Sequence, residues 1–340
     1  MKRYLIVSLL AVAAAWAQAG VGLTEVPGVQ GDGPVTVFYP SGAVDQTVER
    51  GPFKLQAAAN AAPARGNGHL VVISHGSGGA PWTYSDLARK LVDAGFTVAF
   101  PEHLGDNWKG MGDAGPASWR RRPGEVSHAI DAVAKDPRFA ALSFDQVGMY
   151  GMSAGGHTAL TFAGGRWSPS ALRQHCEAHL NDDFYSCVGL ATQLRGNFLD
   201  DFKRAVAIRV IRRRLEDTAW YSHDDARVKA VVAEVPFAVD FDLQSLATPR
   251  VPLGIVQNGM DKWLVPRFHS GALLQACKPC VLVADTPGAG HGSLMSPPPP
   301  REALSSLAAD LLGDPPGFDR ALVPPAHAAI VAFFRQKLLT

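Results

Sequence analysis

Val147-Gly-Met-Tyr-Gly-Met-Ser-Ala-Gly-Gly156 decides how this chain is read. A short apolar run, Val147 to Tyr150, leads into Gly151-Met-Ser-Ala-Gly155, a G-x-S-x-G pattern. A helical pattern opens at Gly155 and continues through Thr158, Leu160 and Phe162. Strand, tight turn and helix in that order lift the Ser153 hydroxyl clear of a sheet. Gly151 and Gly155 remove the side chains that would collide with the neighbouring strand and helix, and Gly156 adds a third small position. The five-residue pattern recurs by chance; its flanks give it weight. The bland alternative is a tight strand-to-helix turn with no chemistry.

Outward from this turn, strand-like and helix-like segments alternate. Strands are expected at Val35 to Tyr39, ended by Pro40, at Leu70 to Ser74 and at Phe96 to Phe100. Leu70-Val-Val-Ile-Ser74 is a continuous apolar run of the kind buried on both faces. A helix is expected from about Ser85, then a polar, Gly-rich loop over 105–122. A second helix is expected from Pro123 to about Lys135, with Pro in its first turn. Beyond the turn, strands are expected at Lys229 to Val235, Val251 to Gln257 and Val281 to Val283. Helices are expected at about Phe268 to Ala276 and Ala326 to Lys337. Alternation of this kind implies an α/β fold, a mostly parallel, doubly wound sheet with helices on both faces. Between about 166 and 225 the pattern turns helical and strongly charged. That reads as a lid inserted above the C-terminal edge of the sheet, where open α/β sheets bind ligands. Pro297 to Pro300 reads as a stiff surface loop.

A serine hydroxyl is a poor nucleophile at neutral pH. It needs a base within hydrogen-bond reach, and the base needs an acid to orient it. In a sheet of this type the partners follow in the order Ser, acid, His. Asp261, in Asn258-Gly-Met-Asp261-Lys-Trp, comes just after a strand; Asp240 and Asp242 are its rivals. His291, in Thr286-Pro-Gly-Ala-Gly-His291-Gly-Ser, follows the last strand on a loop of small residues. The chain has 11 histidines, so position after the acid is what separates this one. His75, the main competitor, belongs to His75-Gly-Ser-Gly-Gly79. That glycine-rich loop suits backbone N–H donors for a developing oxyanion, with Ser77 as one donor and Ala154, after the nucleophile, as the other. Its bland reading is an ordinary turn. Trp82, Met152 and Trp263 lie beside these motifs and are candidate linings of an apolar acyl pocket, or simply core.

The chain of 340 residues is 47% hydrophobic and 19% charged, with formal net charge +1. That is enough apolar material for one large core with an appended lid. A charge so near zero supplies no general attraction for nucleic acid or anionic membranes. Lys2-Arg3, the apolar run Tyr4 to Trp16 and Ala17-Gln-Ala19 form a signal-peptide pattern over 1–19. The run is too short to span a bilayer comfortably, and no integral membrane span follows. The expected mature domain is 20–340, exported to the periplasm or secreted. In that setting Cys176, Cys187, Cys277 and Cys280 are expected in disulfides. Four cysteines allow three pairings, and nearest-neighbour pairing needs the least rearrangement of the chain. Cys277-Lys-Pro-Cys280 closes a helix where a redox CxxC opens one, which favours a structural clip. His175 and His179 share a helix face at metal-ligand spacing, but no third ligand is evident and no metal is expected. Arg209, Arg212, Arg213 and Arg214 form a basic helix surface, with Val206, Val210 and Leu215 expected opposite. Such a surface is usually solvated; an anionic headgroup or membrane is the sharper alternative.

Taken together, His75-Gly-Ser-Gly-Gly79, Gly151-Met-Ser-Ala-Gly-Gly156, Asp261 and His291 resemble the α/β-hydrolase superfamily. The nearest group resembles bacterial proteins related to dienelactone hydrolase and to platelet-activating factor acetylhydrolase. Ala99-Phe-Pro-Glu-His-Leu-Gly105 resembles their segment after the fourth strand. The resemblance covers most of the mature chain and is weakest over 166–225. It implies a Ser153–His291–Asp261 triad acting on a small-molecule ester without metal or organic cofactor. Dienelactone hydrolases use a Cys nucleophile, and Ser153 departs from that, which favours esterase or acetylhydrolase chemistry. A peptidase, a polyester depolymerase, dienelactone-type lactone hydrolysis and a non-catalytic binding member of the fold are the competing readings.

Overall fold

The computed structural model describes residues 20–340. The expected leader, 1–19, lies outside the described residues. The strands are β1 (Gly20–Val26), β2 (Val35–Ser41), β3 (Gln46–Arg50), β4 (Phe53–Ala59), β5 (His69–Ser74) and β6 (Thr97–Pro101), then β7 (Ser143–Met152), β8 (Arg166–Trp167), β9 (Val228–Glu234), β10 (Phe241–Asp242), β11 (Leu253–Asn258) and β12 (Val281–Thr286). Ten of them form one sheet in the order β12-β11-β9-β7-β5-β6-β2-β1-β4-β3, and β8 and β10 pair separately. The run from β12 to β6 is parallel throughout.

The helices are α1 (Ser85–Asp93), α2 (Pro116–Lys135), α3 (Ala154–Phe162), α4 (Pro169–His179), α5 (Phe184–Val188), α6 (Leu199–Arg214), α7 (Ser270–Ala276), α8 (Ser306–Leu312) and α9 (Val323–Leu338). Side chains alternate along the central strands and build two cores. Val71 and Ile73 of β5 pack with Leu87 and Leu91 of α1 and Ile330 and Phe334 of α9. Leu70 and Val72 face the other way, toward Val126 and Ile130 of α2 and Leu160 of α3. Both layers are fully buried, and each such side chain contributes about 1.5–3 kcal/mol relative to exposure.

Three departures from the sequence reading have physical causes. The N-terminal third adds β1, β3 and β4: β3 is polar and mostly exposed at the sheet edge, so it carries little apolar alternation. β2 runs on through Pro40, because its pairing with β6 ends at Phe38, leaving Pro40 paired to β1 alone, where a missing N–H is tolerated. And α2 begins at Pro116, with Pro123 inside it. Each proline suits a first helical turn; the earlier one takes that position, and the later one costs the helix a hydrogen bond.

The insertion between α3 and β9 holds α4, α5 and α6. Cys176 in α4 is joined to Cys187 in α5, and Cys277 to Cys280 at the end of α7. No helix among the described residues is long and apolar enough to cross a membrane.

Candidate active site

The C-terminal ends of β5, β7, β9, β11 and β12 deliver the candidate residues to one edge of the sheet. Ser153 sits between β7 and α3 with φ 58° and ψ −116°, a region that a residue with a side chain rarely adopts. Such strain persists only where the surroundings over-determine it. Here the Ser153 N–H donates to the Glu234 carbonyl at 3.0 Å, and the Ser153 carbonyl accepts from His157 at 2.9 Å and Phe237 at 3.3 Å. The glycines around it are contact positions. A Cβ on Gly151 would lie 1.9 Å from the Gly155 carbonyl oxygen, and one on Gly155 would lie 1.9 Å from that of Ser74.

Asp261 follows β11. One carboxylate oxygen accepts the N–H groups of Trp263 and Leu264, each at 2.9 Å, and the other lies 2.7 Å from His291 Nδ1. Nδ1 is therefore the donor, and Nε2 is the ring nitrogen left to accept a proton. The loop bearing His291 is tied to the one bearing Asp261: Asn258 donates to the Gly290 carbonyl at 2.8 Å and accepts from the Thr286 hydroxyl at 2.8 Å. Asp261 and His291 are almost wholly buried. The rival acids are engaged elsewhere, Asp240 with His157 at 3.1 Å and Asp242 with Arg166 at 2.6 Å. Ser153 and His291 line the same cavity, with no hydrogen bond between them. In acyl-transfer sites that contact is often long before substrate binds.

The loop after β5 holds itself in an unusual way. Gly76 N–H donates to the Tyr84 hydroxyl at 3.3 Å, Gly78 N–H to Asp106 at 3.0 Å and Gly79 N–H to the Gly76 carbonyl at 3.0 Å. Ser77 N–H has no such partner among the described residues. Ala154 N–H, at the start of α3, has no intrahelical acceptor either. Ser77 and Ala154 both line the cavity.

Beneath this loop lies a buried polar cluster that the sequence reading did not find. The Arg122 guanidinium, with no exposed surface, donates to the His75 carbonyl, to the Asp106 carboxylate at 2.9 Å and to the Ser118 hydroxyl at 2.9 Å. Burial alone would raise the Asp106 carboxyl; Arg122 and the Ser118 and Gly78 donors outweigh it and hold the group below the ordinary carboxylate range. His103 lies 2.7 Å from the Ser74 hydroxyl and 2.5 Å from Glu125. Burial, reinforced by Arg122, pushes the His103 imidazole well below its usual range. This second Ser–His–acid series does not line the cavity; it is packing for the loop.

Glu234, at the end of β9, is a further buried acid. Tyr150 donates to it, and burial pushes its carboxyl up to about 7 despite the opposing pull of that hydrogen bond and of nearby His291.

The cavity over this edge has a volume of about 1060 Å³. Trp82, Met152 and Trp263 all line it, with Trp108 and Trp119. Its charged lining is cationic, Arg50, Lys203 and Arg214, and no Asp or Glu is among the described residues that line it. His175 lies 2.8 Å from Asp183, which also meets His269 at 3.2 Å. No grouping suited to a metal ion occurs among the described residues.

A parallel sheet flanked on both faces, a helical insertion above its C-terminal edge, and a serine on the strained turn after a central strand define the α/β-hydrolase fold. Among solved structures, the chain is similar to a ferulic acid esterase from Streptomyces cinnamoneus, with TM-score 0.57 and 16% identity over 96% of this chain and 93% of that one. At that identity the likeness speaks to the fold. No family model matches the sequence, and no curated protein matches it.

Proposed function

We propose that this protein is an exported serine hydrolase that cleaves carboxylic esters through an acyl-enzyme. The observation that carries the reading is the convergence on one cavity of Ser153, on its strained turn, and His291, oriented by Asp261 at 2.7 Å. Ser153 Oγ attacks the ester carbonyl while His291 Nε2 takes its proton. Asp261 fixes the tautomer and stabilises the imidazolium. The Ser77 and Ala154 N–H groups receive the oxyanion, which is worth about 3–4 kcal/mol of barrier for each donor. The alcohol departs with the proton from His291. Water, deprotonated by the same base, then releases the acid and restores Ser153.

The insertion acts as a lid over the chamber. The solved neighbour acts, by its name, on ferulic acid esters, and an aromatic acyl group suits a chamber lined by several tryptophans. Two disulfides agree with export. The test is hydrolysis of p-nitrophenyl esters of graded chain length and of feruloyl esters, alongside peptides and with a fluorophosphonate label. Wild type should cleave esters and take the label. Ser153→Ala should lose kcat by a factor on the order of 10⁶ and take none. Ester turnover retained in Ser153→Ala would overturn the proposal.

A further inference from the structure

We infer that the exposed face of α6 docks on an anionic lipid surface and presents the chamber mouth to it. On a helix, residues four apart share a side. Phe198, Phe202, Val206 and Val210 follow that spacing and are 88%, 67%, 43% and 42% exposed. This reverses the expectation that Val206 and Val210 pack inward, away from the arginines. Arg209 and Arg213 fall on the same side, between the apolar residues. Lys203, Arg204 and Arg212 have acidic partners in Asp200, Asp201 and Glu177, whereas Arg209 and Arg213 have none among the described residues. The two acids of α6, Asp200 and Asp201, lie on its other sides. A face of aromatic and aliphatic groups with unpaired arginines and no carboxylate matches an interface of acyl chains beneath anionic headgroups.

The patch continues into the chamber. Phe202, Val206 and Val210 line its mouth, and Trp108 and Met111, 55% and 40% exposed, line it from another loop. A contiguous exposed apolar surface of this kind marks an interaction site. A twofold contact with a second copy would set one basic face against another. A lipid surface answers both the apolar and the cationic groups. The whole chain is near neutral, so the attraction is local to this helix. Docking itself does not need Ser153; delivery of an ester to the chamber rests on the hydrolase reading.

Sedimentation with vesicles of phosphatidylcholine, alone or mixed with phosphatidylglycerol, tests the inference. It uses the Ser153→Ala protein so that turnover cannot alter the lipid. Binding to the mixed vesicles, weakened by salt and much weaker on phosphatidylcholine alone, is expected. Arg209→Ala and Arg213→Ala should each lower partitioning about fivefold, and Phe198→Asp should lower it further. The same three substitutions in the wild-type background should leave hydrolysis of a soluble short-chain ester unchanged, which also shows that the variants fold. No binding to either vesicle, equal binding to both, or variants that bind like the parent would overturn the inference. So would a wild-type dimer in solution that Phe198→Asp dissociates. Ester turnover surviving Ser153→Ala would instead sink the hydrolase reading and leave the vesicle result standing.

Discussion

A carboxyl buried away from water holds its proton longer than an exposed one, and burial takes Glu234 up to about 7 against the pull of Tyr150 and His291. Between the ordinary glutamate range and that value, the folded state binds a proton that the unfolded state has lost. The stability Glu234 contributes is therefore complete at acid pH and is lost as pH rises through about 7. Thermal melts should show wild type losing more stability than Glu234→Gln between about pH 5 and about pH 8; parallel curves would refute this. Asp106 makes the opposite kind of contribution, as an ionised partner of Arg122 that also holds the Gly78 N–H. Asp106→Asn keeps the shape and strands the guanidinium. It should cost about 3–5 kcal/mol in denaturant unfolding and lower kcat more than it raises KM, because Ser77 loses its fixed aim. Unchanged stability would show that the pair is replaceable. Ser153, Asp261 and His291 stand out in the sequence as candidates because each sits just past a strand end, and the fold brings them to one edge of the sheet. Arg122 and Asp106 do not stand out, since their partnership spans 16 residues of sequence and depends on where α2 begins.

At the scale of elements, periodicity located the central strands because each is buried on both faces and reads as an unbroken apolar run. It passed over β3 and β4, whose pairing with each other leaves β3 polar and exposed. It also set α2 to start at Pro123, which left Arg122 in a loop and hid it from any site argument. Within the insertion, the link between α4 and α5 closes a separation of 11 residues. Replacing Cys176 and Cys187 together with Ser should lower unfolding free energy by about 3 kcal/mol on the loop-entropy scale. The loss of ester turnover should be larger for bulky esters than for small ones, because α5 supplies Tyr185, Ser186 and Cys187 to the chamber wall. Equal losses across ester sizes would show that the insertion does not shape the chamber.

For the molecule as a whole, the sheet supplies rigidity at its centre and variation at its C-terminal edge. That division explains why the fold and the candidate site residues could be read from short motifs, while the chamber could not. Its walls come from the β3–β4 turn, the loop after β5, the segment before α2, the insertion and the turns near α8. No local pattern in the sequence announces that these meet. The composition of that wall bears on how a reaction cycle would end. Cleaving an ester leaves a free acid, ionised at neutral pH, inside a space bordered by Arg50, Lys203 and Arg214 and by no carboxylate among the described residues. On the hydrolase reading, Arg50 and Arg214 would favour the anionic product over the neutral ester, so the acid that accumulates would compete for the chamber as conversion proceeds. Progress curves with an aromatic or long-chain ester should bend early and show competitive inhibition by the liberated acid, relieved in Arg214→Ala, with the matching alcohol inhibiting far less.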